Sequence, residues 1–266
     1  MRKIVGKQPG EYQCAVLEQV SVAPGCLLLF LAAPQIARSA APGQFVLIGC
    51  GTRYDPFLRR PLSIHQVKRE QGEVGFLYRV RGIGTQWLAE RRKGDVVSLL
   101  GPLGRGFTYP GRGKKGLLVG AGVGVAPLLF LAGELAALDW KLAILIGART
   151  RTEIFRSGAF MEYGTVKTVA EDGSTERRGT VLELLYDELR EGVWDGIYAC
   201  GPRPVLKGVQ RISKETGIPA QIALEERMAC GVGACLGCVC QGAGEAPRYL
   251  RVCREGPVFD AWEVIL

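Results

Sequence analysis

Histidine is nearly absent from this chain, and His65 is the only one among its 266 residues. A metal site that needs two histidine ligands, such as a Rieske iron–sulfur centre, is therefore excluded. His65 follows a predicted strand. We interpret it as a solvated or internally hydrogen-bonded side chain and not as a general acid.

Secretory signals and long apolar helices are also missing. Residues 1–12 lead into no apolar core of the length that a signal peptide needs. The long uncharged stretch at 116–133 contains several glycines and a proline, which favour a buried strand, a tight turn and a helix start over a membrane helix. We therefore expect a cytoplasmic protein, in which cysteines are metal ligands more often than disulfides.

Basic tails and basic stripes interleaved with aromatic residues are absent too, although the formal net charge is +8. Lysine and arginine occur in short clusters spread along the chain, as at 90–93 and 111–115. This distribution argues against nucleic-acid binding and favours an anionic small molecule, such as a dinucleotide, or an acidic protein partner. A hydrophobic fraction of 47% indicates a globular chain with a real core.

Three parts of the chain differ in composition. Residues 1–110 contain apolar stretches of strand length separated by glycine, proline and charged residues, which predicts an antiparallel β-barrel or sandwich interrupted by one helix. Residues 111–224 alternate strands with helices, which predicts a doubly wound parallel α/β domain. Residues 225–266 form a small module rich in glycine and cysteine. The predicted strands are 26–32, 44–50, 74–80, 95–101, 116–120, 141–148 and 194–200, and the later predicted helices are 127–138, 181–189 and 203–217.

Four of the nine cysteines lie between Met228 and Cys240. The order C-x4-C-x2-C, followed by a distant fourth cysteine, is the plant-type [2Fe–2S] ligand pattern, because three thiolates from one loop and one from a returning segment can wrap a small cluster. Glycines at 231, 233 and 237 would allow a positive φ and would bring backbone N–H groups towards the sulfurs. The predicted cluster ligands are Cys230, Cys235, Cys238 and Cys253.

A structural zinc site is the alternative for these cysteines. Zinc sites of this kind usually combine two closely spaced cysteine pairs, and the second pair is missing here. Cys240 follows Cys238 by two residues and could face the opposite side of a strand, so we interpret it as a packed thiol.

A second set of motifs lies in the first part of the chain. "RRPLSI" at 59–64 places an arginine where it can reach a pyrophosphate, with a serine hydroxyl facing a ring edge. Further on, Gly84 and Thr85 begin a predicted helix with Thr85 as its N-cap, and free N–H groups there attract phosphate. An edge strand with a solvated arginine would explain the first motif equally well.

Two more motifs lie in the α/β part. "LLVGAGVGVAPLL" at 117–129 is a strand, a glycine-rich turn and a helix start, an arrangement that lets the backbone approach a phosphate. "YACGPRPVL" at 198–206 delivers Cys200 to the carboxyl end of a strand, the edge of a parallel sheet where ligands bind. A plain tight turn and a buried cysteine are the alternative interpretations.

Taken in order, these motifs resemble those of the ferredoxin–NADP reductase superfamily. The tail "LEERMACGVGACLGCVC…CREGPVFDA" closely resembles that of the electron-transfer subunits of type B dihydroorotate dehydrogenase. The resemblance implies an FAD-binding barrel, an NAD(H)-binding α/β domain and a [2Fe–2S] module. By likeness, the FAD site is formed by Arg60, Pro61, Leu62, Ser63, Leu77, Tyr78, Arg79, Gly84 and Thr85. The nicotinamide dinucleotide site is formed by Gly120, Gly122, Gly124 and Pro127, with Cys200 near the reacting carbon.

The resemblance also implies a partner, a catalytic subunit that carries FMN and oxidises dihydroorotate in pyrimidine biosynthesis, in a heterotetramer with two copies of each chain. Electrons would then pass between FMN and NAD+ through the cluster and FAD. The small subunit of an NADH-dependent ferredoxin–NADP reductase or of a sulfide dehydrogenase is the nearest alternative, and a zinc-stabilised nucleotide-binding module is one from another class. Leu62 replaces the tyrosine of many superfamily members, and Arg149 and Arg151 leave the choice between NADH and NADPH open.

Overall fold

A computed structural model describes residues 9–51 and 55–266 of the chain. Residues 1–8, which begin both the stretch read for a signal peptide and the predicted first domain, lie outside the described residues. In the described ranges, none of the helices has the length and apolar character needed to cross a bilayer.

Seven strands and two helices form the first part of the chain. The strands are 3–14 residues long and pair side by side, and their apolar side chains supply the buried interior of the sheet. The strands are β1 (Gly10–Ala23), β2 (Cys26–Ala32), β3 (Phe45–Ile48), β4 (Arg60–Ser63), β5 (Gln66–Lys68), β6 (Glu73–Arg79) and β7 (Val96–Leu103), and the helices are α1 (Pro34–Ser39) and α2 (Ile83–Ala89).

The seven strands form one curled antiparallel sheet in the order β4-β3-β7-β1-β2-β6-β5. The chain passes from one edge strand to the other through Ile64 and His65. There the N–H of Ile64 donates to the carbonyl of Gln44, and the N–H of His65 donates to the carbonyl of Gly75. These two residues therefore join both edges of the curl, and the predicted antiparallel barrel is confirmed.

Two details of the predicted barrel are wrong. A second helix, α1, interrupts it, because Pro34 suits a first helical turn and Ile36 and Ala37 bury an apolar face. Thr85 is not the N-cap of α2. The helix begins earlier, with Gly82 as its extended cap, and the Thr85 hydroxyl accepts the N–H groups of Arg81 (2.9 Å) and Gly82 (3.1 Å).

Parallel strands alternate with helices in the second part, as the sequence predicts. Five parallel strands lie in the order β10-β9-β8-β11-β12. The helix α6 ends at Gly217, which takes the left-handed conformation typical of a helix end. The strands are β8 (Lys115–Ala121), β9 (Lys141–Ala148), β10 (Thr165–Ala170), β11 (Gly196–Cys200) and β12 (Ala220–Ala223), and the helices are α3 (Ala126–Ala136), α4 (Ser157–Phe160), α5 (Val181–Glu191) and α6 (Arg203–Thr216).

Four short strands end the chain: β13 (Val239–Gly242), β14 (Arg248–Arg251), β15 (Val258–Asp260) and β16 (Val264–Ile265). Three of them form a small sheet in the order β14-β13-β16, whereas β15 pairs antiparallel with β12 and becomes the sixth strand of the parallel sheet. The domain boundaries proposed at residues 110 and 224 therefore stay a prediction, since the last segment shares a sheet with the second.

Two hydrophobic cores hold these parts together. One packs α3 and α4 between the parallel sheet and the barrel. The other packs α5 and α6 against the opposite face and joins Leu47 and Leu103 of the barrel to Cys238 and Cys253 of the last segment. The cysteine segment is thereby fixed against both of the larger sheets.

Candidate cofactor clefts and cysteine centre

A cleft of about 310 Å³ opens between the barrel, the start of α3 and the segment after β12. Nearly all of the predicted FAD-site residues lie on its wall: Arg60, Pro61, Leu62, Ser63, Leu77, Tyr78, Arg79 and Thr85. Gly84 lies behind Arg60 instead, where an added Cβ would come within 2.6 Å of Arg60 Nε. The fold therefore brings the Arg-Pro-x-Ser strand and the start of α2 together.

The wall of this first cleft combines an apolar floor with cationic groups. Leu62 and Leu77 supply apolar surface, and Arg60, Arg79 and Arg81 supply positive charge. The Tyr78 hydroxyl turns away and donates to Gln19 Oε1 (2.9 Å), and burial raises the pKa of Tyr78. Such a wall fits a planar ring system joined to a pyrophosphate.

A second cleft, of about 660 Å³, lies at the carboxyl ends of the parallel strands. Gly122 and Gly124 line it from the glycine-rich turn, and Gly201 and Pro202 line it from the segment after β11. A Cβ on Gly124 would come within 2.6 Å of the Cys200 carbonyl oxygen and 2.7 Å of Gly201 Cα, so only glycine allows the two motifs to meet this closely.

Three predicted residues of the dinucleotide site lie behind the wall of the second cleft. Pro127 is buried in α3, and an added Cβ on Gly120 would come within 2.7 Å of Val125 Cγ1. Cys200 is 2% exposed and packs in the core, where burial and then the nearby Glu225 raise the pKa of its thiol. Its placement near the reacting carbon stays a prediction.

Four residues line both clefts and mark the place where they meet: Arg79, Arg81, Val123 and Glu225. Sequence reasoning missed Glu225, although it lies two residues after β12 at the carboxyl edge of the sheet. Burial raises the pKa of the Glu225 carboxyl, and Arg81 opposes that shift. Ligands held in the two clefts would face each other at this junction.

His65 lines neither cleft. It is fully buried, its Nδ1 lies 2.7 Å from the Ala126 carbonyl oxygen, and its Nε2 has no hydrogen-bond partner among the described residues. Burial lowers the pKa of His65 to about 4. The solvated interpretation is therefore wrong, the internal hydrogen bond is confirmed, and the ring is neutral at physiological pH.

Arg149 faces the second cleft but is already paired. Its Nη2 donates to Glu153 Oε1 (2.9 Å), and Arg79 Nη2 donates to the same oxygen (2.9 Å). The hydrogen bond from Arg149 holds the pKa of the Glu153 carboxyl below its usual value. Arg151 is exposed and lies off the cleft wall. Arg149 is thus held in an ion pair at the edge of the second cleft.

Replacing Glu153 with glutamine is expected to free Arg149 and to improve binding of NADPH relative to NADH. The expected change in the ratio of dissociation constants is on the order of fivefold, as for other exposed charge pairs. Isothermal calorimetry with both nucleotides measures it. Glu191→Gln, which removes an exposed ion pair with Lys167 away from the clefts, is the control. An unchanged ratio in Glu153→Gln would show that the ion pair with Glu153 does not limit the contribution of Arg149 to NADPH binding.

The predicted cluster ligands form two pairs. The N–H of Cys235 donates to Cys230 Sγ (3.4 Å), and the N–H of Cys253 donates to Cys238 Sγ (3.4 Å). A further N–H, from Gly237, donates to Cys235 Sγ (3.5 Å). N–H donors of this kind stabilise thiolates and tune an iron–sulfur centre, as the sequence predicts.

Backbone conformation explains how the loop turns its N–H groups inward. Gly231 and Gly233 take positive φ values of 67° and 82°. For Gly237 the predicted positive φ is wrong, and the neighbouring Leu236 takes the left-handed conformation at φ 58°. The Gly237 N–H nevertheless points to a sulfur, as predicted. A leucine in this conformation carries a local steric cost of about 1–2 kcal/mol between its Cβ and its own backbone.

The electrostatics of the loop fit a bound cation. Burial alone would raise the pKa of Cys230. Hydrogen bonds from the N–H groups of Cys235 and Val232 outweigh burial and lower this pKa to about 6. Burial and the adjacent Cys238 raise the pKa of Cys253 to about 12. Two thiolates side by side repel each other, and positive metal ions between the pairs remove that cost.

Among residues 9–51 and 55–266, no group of three or more His, Cys, Asp or Glu side chains is positioned around one point to hold a metal ion. The sulfurs lie in two pairs, which suits two irons with two thiolates each better than one tetrahedral zinc. Cys240 faces the core and is 7% exposed, so its interpretation as a packed thiol is confirmed.

The first cleft and the cysteine loop share a wall. Leu224, Glu226 and Met228 line the cleft just before the first predicted ligand, Cys230. Pro257 lines it four residues after the last predicted ligand, Cys253. The two ends of the ligand-bearing segment therefore lie against the space that would hold the ring system.

Comparisons with known proteins agree with this geometry. Residues 225–265 match the family model described as the iron–sulfur cluster binding domain of dihydroorotate dehydrogenase B. The electron transfer subunit of dihydroorotate dehydrogenase B (NAD(+)) from Desulforamulus reducens is 41% identical over 96% of this chain and 98% of its own length. The subunit of the same name from Caldanaerobacter subterraneus subsp. tengcongensis is 44% identical over 84% of this chain and 87% of its own length.

Solved structures show the same fold. A chain from the structure of an NADH-dependent reduced ferredoxin–NADP oxidoreductase, studied for flavin-based electron bifurcation, has a TM-score of 0.85 and 27% identity, covering 96% of this chain and 91% of that chain. A ferredoxin reductase in carbazole 1,9a-dioxygenase also shares the fold, with a TM-score of 0.69 and 23% identity. The match covers 80% of this chain and 67% of that chain.

Proposed function

The chain belongs to the family of dihydroorotate dehydrogenase B electron transfer subunits, and from that premise we propose that it passes electrons between NAD(H) and a catalytic subunit that oxidises dihydroorotate, through FAD and a [2Fe–2S] cluster. The observation that carries the proposal is the wall shared by the first cleft and the cysteine loop. A flavin exchanges a hydride with nicotinamide and single electrons with iron, so a cluster next to the flavin serves this role.

Each cleft contributes a separate part of the proposed activity. In the first, Arg60 and the start of α2 bind the pyrophosphate of FAD, while Leu62 and Leu77 contact its ring. In the second, the backbone at Gly122 and Gly124 binds the pyrophosphate of NAD(H). Glu225, Arg79 and Arg81 line the junction and orient the nicotinamide towards the flavin.

The cysteine loop contributes the third part. Cys230, Cys235, Cys238 and Cys253 would hold the two irons of the cluster, with two thiolates for each iron. The N–H donors at 235, 237 and 253 favour the charged sulfurs. The exposed position of Cys235 and of Leu236 leaves this side of the loop open to a partner.

We propose that the partner is an FMN-containing catalytic subunit, in a heterotetramer of two copies of each chain in the cytoplasm, acting in pyrimidine biosynthesis. The names of the relatives support this assignment, since they describe one subunit of a larger enzyme. The ferredoxin–NADP reductase alternative is less favoured, because the likeness to that structure is 27% in sequence against 41% for the Desulforamulus reducens subunit. The zinc-module alternative is less favoured because of the paired sulfurs and the match at 225–265.

Anaerobic titration of the purified protein with NADH tests the proposal. We expect the visible absorption of both flavin and cluster to bleach, and co-expression with the catalytic subunit to give dihydroorotate-dependent NAD+ reduction. Iron, zinc and acid-labile sulfide are measured on the same sample. A colourless protein that contains zinc, or visible bands that NADH leaves unchanged, would contradict the assignment.

A further inference from the structure

We propose that Met228 is the positioning residue that fixes the spacing between the flavin and the iron–sulfur cluster, and that its side chain fills the gap across which electrons pass between them. The inference rests on the proposed function and adds to it one residue that no motif identifies. It makes Met228 a contact for electron exchange, as distinct from a residue needed only to bind either cofactor.

Met228 connects the first cleft to the cysteine loop. It lines the first cleft, and it is partly buried against the core that contains Cys238 and Cys253. In sequence it lies two residues before Cys230. Met228 is therefore a wall residue of the first cleft that lies at the start of the ligand-bearing loop.

The segment that carries Met228 is fixed on both sides. Before it, the N–H of Leu224 donates to the Pro257 carbonyl (2.9 Å), which ties the segment to the return strand after the last predicted ligand. Within it, Glu226 pairs with Arg203 of α6 (2.5 Å). After it, an added Cβ on Gly231 would come within 2.5 Å of Leu47 Cδ1, so the loop lies directly on the barrel.

Methionine suits this position chemically. Its side chain is unbranched and polarizable, fills irregular gaps and packs favourably against the edge of an aromatic ring. Truncation to alanine would leave space for water or for a shift of the loop. The step itself transfers one electron from the reduced flavin to the oxidised cluster and neither forms nor breaks a bond. NADH, which supplies two electrons as a hydride, is the reductant.

The test compares Met228→Ala and Met228→Leu with wild-type protein loaded with both cofactors. Met161→Ala is the control, since Met161 is 64% exposed and lies on neither cleft. Rapid mixing with NADH under anaerobic conditions follows flavin and cluster reduction separately. For Met228→Ala we expect unchanged flavin reduction and cluster reduction slowed by about tenfold to 100-fold, the scale that small displacements of reacting groups produce. Met228→Leu should restore most of the rate.

Readouts other than turnover distinguish positioning from a structural role. The FAD dissociation constant, the iron content and the melting temperature should stay near wild type in Met228→Ala, while magnetic coupling between flavin and cluster in the electron paramagnetic resonance spectrum should weaken. If Met228→Ala does not fold, Met228→Val is measured in its place.

Two results would overturn the inference: wild-type cluster reduction in Met228→Ala, or loss of FAD from both Met228→Leu and Met228→Ala. Absence of a cluster from the wild-type protein would instead contradict the proposed function, so the two failures are distinguishable.

Discussion

Cys238→Ala is expected to remove iron and acid-labile sulfide from the protein while FAD stays bound. Cys238 is 3% exposed and its Sγ accepts the N–H of Cys253, so it is a buried member of the predicted ligand set in direct contact with another. Loss of a hydrogen-bonding partner of a metal ligand already costs up to about 100-fold in affinity or activity, and loss of a ligand itself should exceed that. The FAD cleft keeps its wall, because Cys238 does not line it.

The measurements are iron per chain, flavin per chain and electron transfer from NADH to a one-electron acceptor. Iron should fall from about two per chain to none, and reduction of FAD by NADH should persist. Cys240→Ala is a matched control, since the same change is made at a buried cysteine two residues away that faces the core. Equal iron loss in both variants would show that packing, and not ligation, explains the effect.

Gly124→Ala is expected to impair NAD(H) binding with little effect on FAD content. The added methyl group would lie 2.6 Å from the Cys200 carbonyl oxygen, and all of its nearest neighbours are backbone atoms of Cys200 and Gly201, which cannot move aside as a flexible side chain can. Overpacking of this kind costs about 1–3 kcal/mol. Because Gly124 lines the second cleft, we expect this cost to weaken NAD(H) binding and to raise the NAD(H) dissociation constant by about tenfold or more.

Gly158→Ala is the matched control for this change. It lies in α4, and an added Cβ there meets nothing within 4 Å. Calorimetry gives the NAD+ dissociation constant, and thermal melting gives the stability of both variants. Wild-type affinity in Gly124→Ala would show that the glycine-rich turn is only a tight connection, the alternative interpretation of that motif.

Continuous apolar strands were predictable, and polar or short ones were not. The predicted strands at 26–32 and 141–148 coincide with β2 and β9, because each is an uninterrupted apolar run bounded by charged residues, glycine or proline. β1 went unpredicted although it has 14 residues, since one of its faces is exposed and carries Glu11, Gln13 and other polar side chains. β15 has three residues, too few for a recognisable period.

The residues of the candidate site also differ in whether the sequence could reveal them. Cys230, Cys235 and Cys238 lie within nine residues, so their spacing alone indicates ligands for a cluster. Glu153 becomes significant only when β6 of the barrel brings Arg79 against it, and Met228 only when the last segment returns to the first cleft. These arrangements depend on tertiary contacts between segments far apart in sequence, which no local pattern encodes.

The pairing of β15 with β12 has a consequence for the order in which the protein matures. A nascent chain leaves the ribosome from its N-terminus, so β12 emerges some forty residues before the strand that covers it. Until then its outer edge offers free backbone groups to other chains. Because Cys230, Cys235 and Cys238 lie within that interval and Cys253 near its end, the predicted cluster ligands emerge while this edge is still uncovered.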